Sequence, residues 1–317
     1  MRLIRFLLVL VLAFPGSAGA ESLRIAVISD MNGSYGTTKH GAEVTGAVKA
    51  ILARRPDLVI STGDMIAGQR KSPKLTTPEL EAMWAAFHAT VSDPLASAGL
   101  PFLVTPGNHD ASAYPGFEAE RAAFAAAFAD RKPDLTLIDA EGWPFRFAAS
   151  FRGVLLVGMD ATTSGPIAKD DKAWLGRILE DHAASHRTVV LFGHLPLMPI
   201  SQGRERDVLA DPALFALAEA AGVDLWLSGH QHAFYSGTAG SILFVAQGAL
   251  GNGPRKLIGE GATSPQTLTW IEIAEDGGIT VSGLPAPDFA TPLPEDSLPA
   301  TLGEGAFRLA RNLARPD

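Results

Sequence analysis

Five short clusters of metal-ligand residue types divide this chain, and each stands at the end of an apolar, β-rich run. They are Asp30-Met31-Asn32, Gly63-Asp64, Gly107-Asn108-His109-Asp110, Gly193-His194 and Gly229-His230-Gln231-His232. The runs before them cover residues 23–29, 57–62, 101–105, 188–192 and 223–228, with another at 154–159. Near-continuous hydrophobicity of this kind predicts strands buried on both faces of a sheet covered by helices. Helical patterns fill the intervals at 41–54, 78–98, 117–129, 173–184 and 212–221. The second half adds strand patterns with shorter connections at 144–152, 233–237, 242–246, 267–273 and 278–282. This alternation predicts the α/β class, as a four-layered αββα sandwich of two mixed β-sheets flanked by helices. Ligands at the carboxyl ends of adjacent strands then converge on one crevice.

Composition sets the boundaries. The 317 residues are 47% apolar and only 19% charged, which excludes a disordered or coiled-coil chain and allows a large core. Residues 1–20 read as a signal peptide: Arg2 and Arg5 precede an apolar stretch from Leu7 to Phe14, and Ala18-Gly19-Ala20 is a small-x-small cleavage site. An uncleaved anchor is the alternative, but the apolar run is short of the ~20 residues a span needs. The expected product is exported, periplasmic or secreted, with no stable membrane insertion after cleavage. It has no cysteine, which excludes disulfides, thiolate metal sites and cysteine nucleophiles. The formal charge is −8, and no basic stripe is visible, so nucleic acid is not the expected partner. Residues 21–284 read as one catalytic-size domain and 285–317 as an extension packing on it. The extension starts rich in proline and acidic residues and ends in a helical pattern over 304–316.

Carboxylate, imidazole and carboxamide oxygen together can hold two hard-to-borderline divalent ions. Two ions about 3.5–4 Å apart suit in-line displacement at phosphate esters. A lone aspartate after a strand is often an Asx-turn or a helix cap, but Asp30 and Asp64 recur beside asparagine and histidine clusters. In the tetrad at 107–110 the glycine permits a tight turn and Asn108 can offer a neutral oxygen to a metal. His109 is then expected to face substrate, with Asp110 orienting or charging it through the far ring nitrogen. His194 has a blander alternative, a buried histidine bonded to backbone. His230 and His232 share a face if their strand continues and can straddle a metal pair if it turns. Arg255 or Lys256, in the glycine-rich loop after the last cluster, is either a phosphate-binding cation or a solvated loop charge. Tyr35 lies in Asn32-Gly33-Ser34-Tyr35-Gly36, where substrate contact and a plain turn are both open.

This ordered set resembles the metallophosphoesterase superfamily, the calcineurin-like phosphoesterases, over roughly residues 23–284. The resemblance implies the same αββα architecture and two divalent cations, Mn²⁺ foremost, with Fe, Mg or Zn as alternatives. It implies that Asp64 bridges the two ions. Asp30, Asn32 and His232 would complete the first site, and Asn108, His194 and His230 the second. His109 would assist the leaving group rather than bind metal. The implied function is hydrolysis of small phosphomonoesters or phosphodiesters by water activated between the metals. Two departures stand out. The family's usual first motif is Asp-x-His, and here Asn32 replaces the histidine, a weaker donor to borderline metals. Purple acid phosphatases carry an iron-binding tyrosine three residues after the bridging aspartate, and here that position is Ala67. The Asn32 departure keeps a second reading in play, a non-catalytic metal or phosphoester-binding protein on a decayed enzyme fold. Neither a Gly-x-Ser-x-Gly elbow nor a His-Glu-x-x-His motif is present.

Overall fold

Strands that are apolar at every position must bury both faces, and two sheets with helices outside them do this here. The computed structural model describes residues 21–251, 253–305 and 308–311. The signal-peptide reading of residues 1–20 lies outside the described residues.

The first half lays down β1 (Leu23–Ile28), α1 (Ala42–Arg54), β2 (Leu58–Ser61), α2 (Thr77–Phe87), α3 (Asp93–Ser97), β3 (Phe102–Val104), the single turn α4 (Asn108–Ala111) and α5 (Glu118–Phe128). Next come β4 (Thr136–Asp139), β5 (Phe147–Phe151), β6 (Val154–Gly158), α6 (Lys169–His182), β7 (Thr188–Phe192), α7 (Pro212–Ala220) and β8 (Leu225–Ser228). The chain ends with β9 (Tyr235–Ala239), β10 (Ile242–Ala246), β11 (Thr267–Ile273), β12 (Ile279–Pro285), β13 (Thr301–Leu302) and β14 (Leu309–Ala310). One sheet runs β12-β11-β1-β2-β3 and the other β13-β14-β9-β10-β8-β7-β6-β5-β4. Both are mixed. β1, β2 and β3 are parallel, as are β6, β7, β8 and β10, while the flanking strands are antiparallel.

The two-residue period of each strand sorts its side chains between layers. Leu23, Ile25 and Val27 face Val154, Leu156, Val190 and Phe192 in the core between the sheets. Ala26, Ile28 and Val59 pack outward on α1, α2 and α5 through Val48, Ile51, Trp84 and Phe124. Leu155, Val189, Leu191 and Trp226 meet α6 and α7 on the opposite side through Leu175, Ile178 and Leu214. The layers are therefore α/β/β/α, as the hydrophobic pattern predicts.

Several local expectations need correction. The pattern at 78–98 is not one helix: the turn His88–Ser92 widens to π geometry, and a short helix restarts at Asp93-Pro94, where proline lacks the N–H to continue the ladder. β4 lies outside the strand patterns read above, although Leu135-Thr136-Leu137 alternates; it pairs antiparallel with β5. The expected C-terminal helix is contradicted at Leu309 and Ala310, which pair as β14 with β13 and β9; residues 306, 307 and 312–317 lie outside the described residues. The extension docks through Phe289, fully buried beside α1, while Arg54 donates to the Phe289 and Ala290 carbonyls. Among the described residues no helix is long and apolar enough to cross a membrane.

Candidate metal centre

The parallel strands of both sheets bring their carboxyl ends to one edge, and the loops there carry the five clusters. Asp30 and Asp64 follow β1 and β2, Asn108 opens α4 after β3, His194 follows β7, and His230 and His232 follow β8. The loops interlock through backbone: Asp30 N–H donates to the Gly63 carbonyl, and Met31 and Asn32 N–H donate to the Asp64 carbonyl. Glycine is required where they touch. A Cβ on Gly107 would lie 2.1 Å from Asp64 Oδ1, and one on Gly229 would lie 2.1 Å from Ser29 Oγ. Asp30, Asp64, His230 and His232 all adopt positive φ, at 50°, 53°, 69° and 53°. Side chains with a Cβ resist this conformation, so the packed loops hold strain at these four positions.

Two groups of ligand atoms result, with Asp64 common to both. Asp64, His194 and His230 form one, and Asp30, Asp64 and His232 the other, the atoms of each within 4.8 Å of one another. His194 Nδ1 lies 2.9 Å from the Thr62 carbonyl, which can only accept, so Nδ1 donates there and Nε2 is the nitrogen turned toward the site. That nitrogen faces Asn108 Oδ1 at 3.0 Å, His230 Nδ1 at 3.2 Å and Asp64 Oδ2 at 3.3 Å. Asn108 Nδ2 donates to Gln69 Oε1 at 2.7 Å, which fixes the amide with its oxygen toward the same point. In the other group His232 Nδ1 donates to the Gly253 carbonyl at 2.9 Å, leaving Nε2 3.2 Å from Asp30 Oδ1. Asp30 also accepts from Ser29 Oγ and the His230 N–H.

Carboxylate, imidazole and amide oxygen atoms converging on two buried points suit cations. Burial alone would push the His194 imidazole down, but the Asp64 carboxylate holds it up at about 9, so without metal Nε2 also carries a proton, the one a bound ion would displace. Burial opposes ionisation of Asp64 too, yet the facing histidines, His194 first, keep its carboxyl well below the usual range. Burial, then the charge of His194, pushes His230 down to about 3, so it is a neutral donor. The donor set, carboxylates with imidazole and one amide oxygen, fits divalent metal ions in both groups.

His109 stands at the rim. Its backbone N–H donates to Asp64 Oδ1 at 2.8 Å, and its Nε2 lies 3.9 Å from Asp64 Oδ2. The expected partnership with Asp110 is a correction: His109 Nδ1 pairs with the Gly68 carbonyl at 2.8 Å instead. The Asp110 carboxylate is buried beneath, accepting from the Met65, Ile66 and Gly107 N–H groups. It cannot reach the ring because the short α4 turn sends residues 109 and 110 in different directions. Asn32 is buried and lines a cavity of about 340 Å³ with His109 and His232. Arg255 is half-buried, its Nη1 3.1 Å from the His230 carbonyl, and the charges of Asp30 and Asp64 reach it. Lys256 does not join them: it is exposed, with its backbone bridged to Thr263.

Four residues to which the motifs assign no role complete the site. Gln69, at φ 64°, orients Asn108, and the buried Glu120 carboxylate accepts the Gln69 N–H at 3.1 Å. Arg204 lines a second cavity of about 160 Å³ beside Asn108 and His230. Gln231, between the two histidines, points away and ties down the Arg204 loop through Ile200, Ser201, Arg204 and Asp207 backbone. A glutamine two residues past a glycine, or a glutamate inside a helix, carries no sequence signal of such a role.

The calcineurin-like phosphoesterase model matches residues 23–234, well over half of the chain. The chain belongs to the calcineurin-like phosphoesterase family. Solved structures share its fold at low identity. A purple acid phosphatase from yellow lupin (Lupinus luteus) seeds aligns with TM-score 0.62 and 14% identity over 86% of this chain; the chain spans 52% of that enzyme's length. A dimetal phosphatase from Danio rerio aligns with TM-score 0.55 and 13% identity, covering 82% of this chain and 95% of its own. GAP50, the anchor in the inner membrane complex of Plasmodium, aligns with TM-score 0.55 and 14% identity over 83% and 84%. No curated protein sequence matches the chain.

Proposed function

We propose that this calcineurin-like phosphoesterase is an exported enzyme that hydrolyses small phosphate monoesters or diesters with two divalent metal ions, Mn²⁺ foremost. The observation that carries the reading is the pair of ligand groups sharing Asp64, with their ligand atoms turned inward. Asp30, Asn32, Asp64 and His232 would hold one ion and Asp64, Asn108, His194 and His230 the other. When bound, such ions supply positive charge to the phosphoryl oxygens and acidify water. The protein does the rest by position. Thr62 and Gly253 carbonyls fix the tautomers of His194 and His232, so neither ring needs to turn before binding. With Nδ1–H held by the Gly68 carbonyl, His109 Nε2 faces the site, and in the imidazolium form, with a proton on both nitrogens, it can give its Nε2 proton to the departing oxygen or hold that oxygen by a hydrogen bond. Asp110 clamps the loops of Asp64 and His109 together through three N–H groups. Ala67 offers no phenolate, which argues against the iron–tyrosinate chemistry of purple acid phosphatases. The oxygen-rich first set, with Asn32 for histidine, is the reason for Mn²⁺ over Zn²⁺.

The test is turnover of bis(4-nitrophenyl) phosphate and 4-nitrophenyl phosphate by Mn²⁺-loaded protein beside His109→Ala. The reading expects turnover to fall about 10²- to 10⁴-fold in the variant while bound metal stays constant. Metal bound without hydrolysis of either ester would instead support the second reading, a binding protein on a decayed enzyme fold, which the Asn32 departure favours.

A further inference from the structure

Tyr35 and Tyr114 are the two large apolar side chains that stand exposed among the described residues, at 57% and 45%. Both line cavities that share residues with the metal centre. Tyr35 lines the 340 Å³ cavity with Asn32, Gly33, Ser34, His109 and His232. Tyr114 lines the polar 160 Å³ cavity that contains Arg204 and His230. Elsewhere the sequence keeps its large apolar side chains covered, so an aromatic ring left in water at the rim of a site needs a reason.

We propose that Tyr35 is a stacking platform for a planar ring on the leaving group, so that the substrates are phosphate esters of alcohols carrying an aromatic or heteroaromatic ring. This rests on the phosphoesterase reading above. The platform is fixed in place. Gly36, at φ 79°, turns the chain back, its N–H donates to the Ala67 carbonyl at 2.8 Å, and Thr37 N–H donates to the Ser34 carbonyl at 3.0 Å. Ala67 sits three residues after Asp64, so the turn that presents Tyr35 is anchored to the loop that carries the shared carboxylate. The Tyr35 ring lies 5.4 Å from the His109 ring, tilted by 33°. His109 is the group placed at the departing oxygen, so a ring on that oxygen's substituent enters beside Tyr35. The cavity of Tyr114, with Arg204, Gln69, Asn108 and Thr162, is polar and suits phosphate oxygens rather than a ring. Aromatic rings prefer offset or tilted contact at 4.5–7 Å, and such a contact adds affinity beyond area alone.

The test uses two inert phosphonates of the same charge and nearly the same size, benzylphosphonate and cyclohexylmethylphosphonate, titrated calorimetrically into Mn²⁺-loaded protein. The benzyl compound is expected to bind roughly two- to tenfold tighter, the range of one aromatic contact. In Tyr35→Ala the ratio falls to about one, through loss of benzyl affinity, while the cyclohexylmethyl constant moves less than about twofold; Tyr35→Phe keeps the ratio. Equal affinities in the wild type, a ratio that survives Tyr35→Ala, or a ratio abolished by Tyr114→Ala instead would overturn the platform. So would failure of either phosphonate to bind a protein that turns over bis(4-nitrophenyl) phosphate. Absence of both binding and turnover would sink the phosphoesterase reading itself.

Discussion

Replacing Gln69 by leucine tests how the second ion site is built. Gln69 Oε1 accepts from Asn108 Nδ2 at 2.7 Å, and Asn108 Oδ1 is thereby aimed at the point that His194 Nε2, 3.0 Å away, also faces. Leucine has nearly the same shape but no acceptor. Asn108 then either leaves a largely buried N–H₂ unmatched, at about 1–3 kcal/mol, or rotates and takes its oxygen off the metal. Either course weakens the ion held with Asp64, His194 and His230. Outer partners of metal ligands typically control ~10- to 100-fold in affinity, which is the expected loss for Mn²⁺ in Gln69→Leu. Gln69→Glu retains the acceptor and should bind at least as well as wild type. Isothermal titration of Mn²⁺ into both variants measures this, with thermal melts of the metal-free proteins as a check that the fold is unchanged. A Gln69→Leu titration within about twofold of wild type would refute the positioning argument, as would equal damage in Gln69→Glu.

Restoring imidazole at the first site, Asn32→His, should tighten one Mn²⁺ or Zn²⁺ step by about tenfold in the same titration, and a curve matching wild type would remove Asn32 from the ligand set. His88 should make stability depend on pH. Its ring is packed among Trp84, Phe87 and Phe128, its Nε2 has no partner, and burial, then the Arg131 charge, pushes its pKa down to about 4 from the ordinary 6.5. A folded-state value below the unfolded one means the unfolded chain takes up more protons between pH 6.5 and 4, so this stability is complete above 6.5 and is lost as pH falls toward 4. Urea unfolding at pH 7 and pH 5 should show His88→Phe gaining about 1–2 kcal/mol on wild type at the lower pH; parallel curves would exclude His88 as the cause. Phe289→Ala empties a fully buried position beside α1 and should cost about 3–5 kcal/mol, read by the same unfolding assay, whereas a cost under ~1 kcal/mol would mean the extension is dispensable.

The sequence alone determined the central parallel strands, most of the helices between them and the residues that close the site, because these follow from local rules. A strand buried on both faces must be apolar throughout, and a ligand at its carboxyl end must sit beside a glycine or in a turn. Thus Asp30, Asp64, Asn108, His194, His230 and His232 could be picked out before any contact was known, and the structure brings all six together. What the sequence could not reveal depends on neighbours remote along the chain. Asp110 is adjacent to His109, yet it serves the Met65 and Ile66 backbone, and the His109 partner is the Gly68 carbonyl. A backbone carbonyl has no residue type by which to be recognised. The π turn at His88–Ser92, the pairing of β4 with β5 and the strand at Leu309–Ala310 were likewise settled by tertiary packing and by open sheet edges. Gln69, Glu120 and Arg204 belong to the same category. Each is an ordinary polar residue in its own segment, and only the folded chain brings it to the site and gives it a partner.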